Sequence, residues 1–552
     1  MLWECNTTGW PGSDIASSHL LAKLLSSNGM CSWAARRRSG RSVGTAPAAR
    51  EHNRIRVEAL ISAASIMRSG ITSAAAGEAR SNFAHGGALQ PCAAMTPITS
   101  RGLQRQLSGW GGYPVAEAEL HRPERLSALR SLVLGSNRLI ARGLGRSYGD
   151  AAVVCRGATV LTERLDRFLE FDPETGVLEC EAGVSIDALI HRFLPLGFFP
   201  SVVPGTKHVT VGGAIAADVH GKNHHCAGAF SRHVHSLRLL TASGEHLHCS
   251  REENADVFWA TIGGMGLTGV ITDARLQLAR VESSSVCVDY ERADNLDAAL
   301  DLFHRDDHRY RFSVAWIDCL ARGARLGRAV LMRGDFAGQE ALDASRRRQP
   351  LRTAPAARID VPFAAPRFVL GASVMKAFNA AYYHVHSSAR HRKLVSYEAF
   401  FFPLDKIRNW NRLYGRSGFL QYQCVLPYAG GREALIRLLE TVSASGAASF
   451  LAVLKRFGDG EAEQLLSFPR AGYTLALDLP NRGAEVFELL DRLDEVVLRN
   501  GGRVYLAKDA RMRPEVFRAM YRELGSWLTI KERIDPEWRF ASELAVRLGL
   551  VA

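Results

Sequence analysis

Residues 203–228 read VPGTKHVTVGGAIAADVHGKNHHCAG and form the second of three glycine-rich stretches in this chain. The first, residues 140–152, reads IARGLGRSYGDAA, and the third, residues 258–271, reads FWATIGGMGLTGVI. Glycine adopts positive φ and lets backbone amides approach a ligand closely, so successive glycine loops can surround a pyrophosphate. One such loop alone is often only a tight turn. Three in this order, with His220, His224 and His225 in the second, indicate a binding site.

The segments around these loops alternate between strand and helix patterns. FLEFDPETGVLECEAG, residues 168–183, has apolar residues at alternating positions on both sides of a turn, which predicts a hairpin. Ser185 is then expected to cap a helix that ends near Gly197. Farther along, YRFSVAWIDCL and FLQYQCVLP predict strands, whereas EALIRLLETVSASG and EVFELLDRLDEVVLRNGG predict helices.

Composition excludes several classes of protein. The net charge of +13 is scattered or concentrated in segments that look poorly ordered, and it lacks the aromatic interleaving of nucleic-acid-binding surfaces, so no nucleic-acid partner is expected. The ten cysteines show no CxxC pair and no zinc-ligand spacing, so neither a disulfide framework nor a metal site is expected. No apolar run approaches the roughly 20 residues that cross a bilayer.

The three loops resemble the FAD-binding domain of the vanillyl-alcohol oxidase and p-cresol methylhydroxylase family. The strings ARGLGRSYGD, VTVGGAIAADVHGKNHH, WATIGGMGLTG, FLQYQ and YLAKDAR are most similar to the members that oxidise the 2′-hydroxyl of a polyprenylphosphoryl-β-D-ribose. The resemblance covers about residues 100–552. It implies an α+β, two-domain, PCMH-type flavoprotein whose substrate domain is built on an antiparallel sheet.

The resemblance also divides the chain. Residues 1–94 are expected to be a disordered tail or the product of a wrongly assigned start before Met95. The FAD-binding domain would span 100–282, and the substrate domain would span 283–500 with a mobile loop at about 340–390. Residues 501–552 would return to the flavin.

Site residues follow from the resemblance position by position. The catalytic residues would be Lys508, His220 and Tyr148. The substrate would be bound by Lys222, Trp316, Gln421, Gln423 and Lys455. FAD would be bound by Ala141, Arg142, Gly143, Leu144, Gly145, Arg146, Ser147, Tyr148, Gly149, Asp150, Ala151, Gly205, Thr210, Val211, Gly212, Gly213, Ala217, Asp218, Val219, His220, Ile271 and Tyr505.

Chemistry supports Lys508 as the leading candidate for the base. Oxidation of an alcohol by a flavin requires loss of the hydroxyl proton as well as the hydride, and a desolvated lysine can have the lowered pKa that this task needs. Each of these candidates also has a purely structural interpretation. In most chains a lone lysine such as Lys508 is a surface residue. The His220 ring could form its hydrogen bonds within its own turn, and Trp316 could belong to the hydrophobic core.

The chain departs from the family pattern at two places. Several relatives attach FAD covalently through the His of a GHS string, whereas this chain has Gly145, Arg146 and Ser147, so non-covalent FAD is expected. Some relatives carry Asn and then Cys beside the flavin, where this chain has Thr474 and Ala476. The second departure leaves the exact substrate open.

The expected function is oxidation of the 2′-hydroxyl of a polyprenylphosphoryl-β-D-ribose to a keto sugar. A separate NAD(P)H-dependent short-chain keto-reductase would then act on the product. The lipid substrate implies a peripheral location at the inner membrane surface, either cytoplasmic or periplasmic. The alternative is an FAD-dependent polyol or aldonolactone oxidase on the same fold, since a fold does not determine its substrate.

Overall fold

The hairpin and the capped helix predicted from sequence are both present in the computed structural model, which describes residues 102–353, 359–366, 370–387, 389–447, 449 and 451–551. Strands Phe168–Phe171 and Val177–Glu181 pair antiparallel around a turn in which Thr175 Oγ1 donates to Asp172 Oδ2 over 2.6 Å. Ser185 then caps the helix Ile186–Phe193 by accepting from the Ala188 N–H at 3.1 Å. The predicted tail, residues 1–94, lies outside the described residues.

Three sheets carry the fold, together with one two-stranded pair. The strands in chain order are β1 (Leu103–Ser108), β2 (Val115–His121), β3 (Leu139–Arg142), β4 (Ala158–Leu161), β5 (Phe168–Phe171), β6 (Val177–Glu181), β7 (Phe198–Pro200), β8 (Val234–Leu240), β9 (His246–Ser250), β10 (Val270–Arg280), β11 (Ser285–Ala293), β12 (Phe312–Ile317), β13 (Ala329–Phe336), β14 (Ile359–Asp360), β15 (His391–Ser396), β16 (Ile407–Arg408), β17 (Phe419–Leu426), β18 (Ala452–Phe457), β19 (Gly472–Pro480) and β20 (Arg503–Val504).

The helices lie between and after these strands. In chain order they are α1 (Leu126–Gly135), α2 (Ile186–Phe193), α3 (Val211–Ala216), α4 (His224–Ala227), α5 (Ala255–Thr261), α6 (Leu296–Asp306), α7 (Ala344–Arg347), α8 (Ala372–Val385), α9 (Tyr397–Phe401), α10 (Gly431–Ser445), α11 (Ala484–Arg499), α12 (Pro514–Met520), α13 (Leu524–Ile534) and α14 (Glu543–Arg547).

The sheets confirm the predicted α+β class. A mixed four-stranded sheet has the order β1-β2-β4-β3, and a six-stranded sheet has the order β5-β6-β10-β8-β9 with β7 also paired to β10. The largest sheet has eight strands in the order β15-β11-β13-β12-β18-β19-β17-β20, and all its pairs are antiparallel. The strands predicted from sequence are its β12 and β17.

Packing joins the six-stranded and eight-stranded sheets through one hydrophobic core. Phe199 of β7 has its ring centroid 5.1 Å from that of Phe336 on β13 and 5.6 Å from that of Phe401 on α9. The two predicted helices of the second half, α10 and α11, pack against each other and against β17. Both bury a leucine-rich face, as their apolar periodicity predicts.

The stretch predicted as a mobile loop, about 340–390, contains secondary structure. Residues 372–385 form helix α8 instead of a loop, with Met375, Asn379 and Tyr383 on its buried face. The Asn379 amide donates to Asp318 Oδ1 over 2.7 Å, and the Tyr383 hydroxyl donates to Asp294 Oδ1 over 2.5 Å. Residues 354–358, 367–369 and 388 of this stretch lie outside the described residues, and its mobility stays a prediction.

The end of the chain packs against the glycine loops. Lys531 of α13 is fully buried, and its Nζ donates to the Leu267 carbonyl of the third glycine stretch at 2.6 Å and forms an ion pair with Asp535. Phe540 forms a parallel bridge with Leu139 at the start of β3. These contacts bring the last 50 residues next to the loops of the first half.

Candidate functional site

The first glycine loop follows β3 and is enclosed by two other segments. A Cβ atom added to Gly143 would lie 2.2 Å from Thr210 Oγ1 in the second loop, so only glycine allows this approach. A Cβ on Gly149 would lie 2.0 Å from the carbonyl oxygen of Asp509. The Tyr148 N–H donates to the Ala507 carbonyl at 2.9 Å. The sequence therefore brings the loop at 143–150 between the second loop and the C-terminal segment.

The second loop enters helix α3 through a capped turn. The Thr210 hydroxyl accepts from the Gly213 N–H at 3.1 Å, which fixes the start of the helix. After the helix, Asp218 is fully buried, and its carboxylate accepts from the Ser231 N–H at 3.0 Å and the Gln464 amide at 3.0 Å. The Asp218 side chain therefore stabilises the loop through these hydrogen bonds. The carbonyl of the preceding residue, Ala217, accepts from the Tyr505 hydroxyl at 2.7 Å.

Lys508 is placed over the first loop by these contacts. Its Nζ lies 3.9 Å from the ring centroid of Tyr148, a distance at which the ring face stabilises a cation. Burial lowers the pKa of Lys508, and the nearby positive charge of Lys455 acts in the same direction, whereas Asp478 raises it. A lysine in these surroundings is suited to exchange a proton near neutral pH.

One face of the eight-stranded sheet supplies the other side of the site. The register pairs Gln421 with Asp478 and Gln423 with Ala476 between β17 and β19, and it pairs Lys455 of β18 with Thr474. Side chains two residues apart on a strand share a face, so all of these side chains lie on the same side of the sheet. The Gln423 amide donates to Thr474 Oγ1 at 3.1 Å.

His220 joins the second loop to this sheet face. Its Nε2 lies 2.9 Å from the Gln423 amide nitrogen, and its Nδ1 lies 3.3 Å from Lys455 Nζ. Burial, followed by the positive charge of Lys455, holds the pKa of His220 well below its usual range. The imidazole is therefore neutral at physiological pH, which leaves it able to accept or pass on a proton.

The amines of the site are unusual for this chain. Only nine lysines occur among the 69 Lys and Arg residues of this chain. Three of them lie in this region, where the positive charge of Lys455 lowers the pKa of both Lys222 and Lys508. Burial lowers the pKa of Lys222 to about 7 and that of Lys455 to about 8. Within the described part of the chain, none of the three forms an ion pair with a carboxylate. Partly buried amines without a carboxylate partner favour an anionic ligand.

The first loop also fits an anionic cofactor. Arg142 donates to the carbonyls of Ser108 at 2.8 Å and Ala152 at 3.1 Å, and the Arg146 guanidinium lies 4.3 Å from the ring centroid of Trp110. Burial lowers the pKa of both arginines, and neither forms an ion pair with any residue that the structure describes. Two guanidinium groups beside glycine loops, with open space at Gly205, suit the negative charge of the FAD pyrophosphate.

Other predicted residues have different surroundings. Asp150 does not present a free carboxylate, because Arg547 of α14 donates to both of its oxygens at 2.8 Å. Ile271 is buried at the start of β10. Trp316 lies on the same sheet face as Lys455 but packs in an aromatic cluster, with its ring centroid 4.7 Å from that of Tyr382. The structure therefore groups Tyr148, His220, Lys508 and the sheet residues, and it places Trp316 beside them under helix α8.

Two residues near this group were given no role from the sequence, although His224 was noted there with His220 and His225. Asp478 is fully buried on β19 beside Gln421, and an acidic residue inside an apolar strand was the available signal. His224 is also buried, with its ring centroid 4.3 Å from that of Phe457, and neither of its nitrogens has a hydrogen-bond partner among the described residues. Burial lowers the pKa of His224 to about 3.

Comparison with known proteins agrees with this geometry. Residues 123–250 match the family model of an FAD binding domain. The chain is 38% identical over 455 residues, 81% of its length, to decaprenylphosphoryl-beta-D-ribose oxidase of Mycolicibacterium smegmatis, of which it covers 98%. It is 38% identical to an uncharacterised protein of Streptomyces coelicolor over 66% of this chain and 100% of that protein.

A more distant relative marks the alternative substrate class. The chain is 28% identical to L-gulonolactone oxidase of Scyliorhinus torazame, but the similarity covers only 31% of this chain and 40% of that protein. The similarity to the mycobacterial oxidase covers 81% of this chain and 98% of that protein. This chain is an FAD-dependent oxidoreductase that belongs to the decaprenylphosphoryl-β-D-ribose oxidase family.

Proposed function

We propose that this chain oxidises the 2′-hydroxyl of a polyprenylphosphoryl-β-D-ribose to the 2′-keto sugar. The observation that carries the proposal is the group of partly buried amines of Lys222, Lys455 and Lys508, which form no ion pair with a carboxylate in the described part of the chain. A phosphorylated sugar would neutralise them, whereas an uncharged polyol would not. The name of the relative that is similar over nearly its whole length indicates the same substrate class.

Bound FAD would accept the hydride from the sugar carbon. Lys508 would take the hydroxyl proton, and the neutral His220 would hydrogen-bond the sugar beside it. Tyr148 would hold the Lys508 amine through its ring face. Lys222 and Lys455 would bind the phosphate, and the amides of Gln421 and Gln423 would orient the sugar hydroxyls. Trp316 would border the sugar or the lipid from the aromatic cluster.

The experiment that tests this function measures flavin reduction under anaerobic conditions. A prenylphosphoryl-β-D-ribose should bleach the flavin absorption, whereas L-gulonolactone and simple polyols at equal concentration should bleach it at least about 100-fold more slowly, the size expected when buried polar groups are left unpaired. Faster bleaching by the uncharged compounds would instead favour the polyol or aldonolactone oxidase. Prenylphosphoryl arabinose is the matched control, because it keeps the phosphate and lipid and inverts only the 2′-carbon.

The proposed product needs a second protein. A 2′-keto sugar returns to the alcohol level only when a reductant delivers hydride to the carbonyl, and delivery from the opposite face inverts the carbon. A separate NAD(P)H-dependent short-chain keto-reductase would supply this step. The two activities together would convert the ribose to the arabinose donor.

We expect peripheral attachment to an anionic membrane surface. None of the helices within the described ranges is long and apolar enough to span a membrane. The exposed apolar side chains are Val374 and Val385 of helix α8 and Phe363, which is 54% exposed. Helix α7 adds the exposed basic side chains of Arg346 and Arg347. Such apolar and basic side chains can bind a lipid surface without insertion. Flotation with anionic liposomes should therefore fall as salt is raised, and equal, salt-independent flotation with neutral liposomes would contradict the electrostatic contribution.

We expect the FAD to be held without a covalent bond. Arg146 stands where several relatives carry the attaching His, and a guanidinium cannot form the histidyl link. Acid precipitation should therefore release all of the flavin into the supernatant. Yellow colour that stays in the washed pellet would show that another residue forms the bond.

A further inference from the structure

The buried carboxyl of Asp478 has no cation beside it. Asp478 is 0% exposed, and no ion pair to it exists within the described ranges. Its hydrogen-bond partner is polar and neutral, because the Gln421 amide donates to Oδ1. Burial raises the pKa of Asp478, against the hydrogen bond of Gln421 and the charge of Lys508. A buried acid without a counter-ion needs an explanation, because desolvation strongly disfavours its charged form.

A continuous set of contacts connects Asp478 to Lys508. The Lys508 amine lies over the ring of Tyr148, and the centroid of that ring lies 5.4 Å from that of Phe419. Phe419 shares a face of β17 with Gln421, and Gln421 donates to Asp478. Lys508 and Asp478 do not touch as an ion pair, yet each acts on the charge of the other. The two ionisable groups therefore lie at the two ends of this set of side chains.

We propose that Asp478 is a positioning residue that sets the protonation state of the Lys508 amine during oxidation of the substrate. The proposal rests on the proposed role of Lys508 as the group that takes the hydroxyl proton. Burial lowers the pKa of the Lys508 amine to about 7, so the amine with a free lone pair is present at neutral pH. The Asp478 carboxylate raises the same pKa, so it determines how readily the amine takes and keeps a proton.

The atoms balance in this scheme. The sugar carbon would lose a hydride to bound FAD, and the hydroxyl would lose its proton to the Lys508 amine as the C–O bond becomes C=O. The ammonium so formed would be stabilised by the nearby Asp478 carboxylate, because an opposite charge nearby favours the charged form. The charged and titratable groups that face Lys508 are Tyr148 from the first loop, His220 from the second, Lys455 from β18 and Asp478 from β19.

The substitution Asp478→Asn removes the charge and keeps the shape and the hydrogen bond to Gln421. Since Asp478 raises the pKa of Lys508, its loss should lower that pKa. The acidic limb of flavin reduction by prenylphosphoryl ribose, measured by stopped flow against pH, should move about one unit lower, the low end of the effect of one nearby charge. Ser449→Ala is the matched control, because it removes the hydroxyl that accepts from the Asp478 N–H without changing any charge.

A second measurement follows the protonation of the Lys508 amine directly in the FAD-bound enzyme. With only nine lysines in the chain, carbon-detected NMR of lysine labelled at Cε can follow each titration, and Lys508→Arg assigns the signal. The Lys508 titration should move about one unit lower in Asp478→Asn and stay in place in Ser449→Ala. If Asp478→Asn does not fold, as judged by flavin absorption, Asp478→Ser removes the same charge with a smaller side chain.

The outcomes separate this proposal from the proposed function. An unchanged Lys508 titration in the Asp478 variant would overturn the proposal, whatever the enzyme oxidises. A shifted titration with an unchanged acidic limb would also overturn it, since Lys508 would then not be the base. If prenylphosphoryl ribose fails to bleach the flavin, the proposed function fails, and the NMR titration still decides whether Asp478 controls the Lys508 charge.

Discussion

Lys508→Ala should bind FAD as the wild-type protein does, and prenylphosphoryl ribose should reduce that flavin at least about 100-fold more slowly. A positioned acid or base typically contributes about 10²–10⁴-fold, and the lower end is expected because His220 lies in the same site. FAD should stay bound because the loops are held by backbone contacts, such as the one from the Tyr148 N–H to the Ala507 carbonyl. Flavin absorption gives the occupancy, and anaerobic stopped flow gives the rate.

Two further variants make this result specific. Lys508→Arg should not restore the rate, since a guanidinium stays charged and cannot accept the proton. Lys393→Ala removes an exposed lysine of β15 and should reduce the flavin at the wild-type rate. Loss of FAD from Lys508→Ala would mean that the lysine is structural. Normal turnover by that variant would make His220 the better candidate for the base.

Arg547→Met should lower the free energy of unfolding by about 3–5 kcal/mol and weaken FAD binding, because it leaves two buried carboxylates without their cation. The Arg547 guanidinium donates to Asp150 at 2.8 Å and to Asp509 at 2.8 Å, and these side chains are 2% and 4% exposed. Methionine fills a similar volume, so packing is largely kept. Urea unfolding measures the stability, and flavin fluorescence measures release of the cofactor.

A double substitution checks the cause of this loss. Asp150→Asn in the Arg547→Met background removes one of the unpaired charges and should recover part of the stability. If Arg547→Met unfolds at the same urea concentration as the wild type and keeps its flavin, then the guanidinium does not hold the first loop against the C-terminal segment. The exposed pair of Arg499 and Glu495 on α11 offers a control, since Arg499→Met should change stability by less than about 1 kcal/mol.

Local patterns in the sequence predicted local structure well. The turn at Asp172 and the cap at Ser185 depend on neighbouring residues, and both are confirmed. The order of the glycine loops predicted the FAD-binding fold, which the family model confirms. Helix α8 was not predicted, because its periodicity lies inside an Arg- and Pro-rich stretch that resembles a loop.

From the sequence alone, the site residues could be predicted only where they lie in a motif that resembles the family. Asp478 contacts Gln421 because β17 and β19 pair in one register, and 57 residues separate the two in the chain. A single sequence does not show that register, since a shift by one residue would turn every side chain to the other face. The same reason applies to Trp316, whose aromatic neighbour Tyr382 comes from a helix that the pattern did not indicate. The roles of the predicted site residues stay predictions.

The ion pair between Arg547 and Asp150 joins residues that lie 397 positions apart, and it also determines when the site can form during synthesis. A ribosome completes the three glycine loops long before it adds Lys508, Asp509 and Arg547. Until then, nothing holds the first loop at the carbonyls of Ala507 and Asp509, and Asp150 has no cation. We therefore expect the first loop to reach its final position only after Asp509 and Arg547 have been added to the chain.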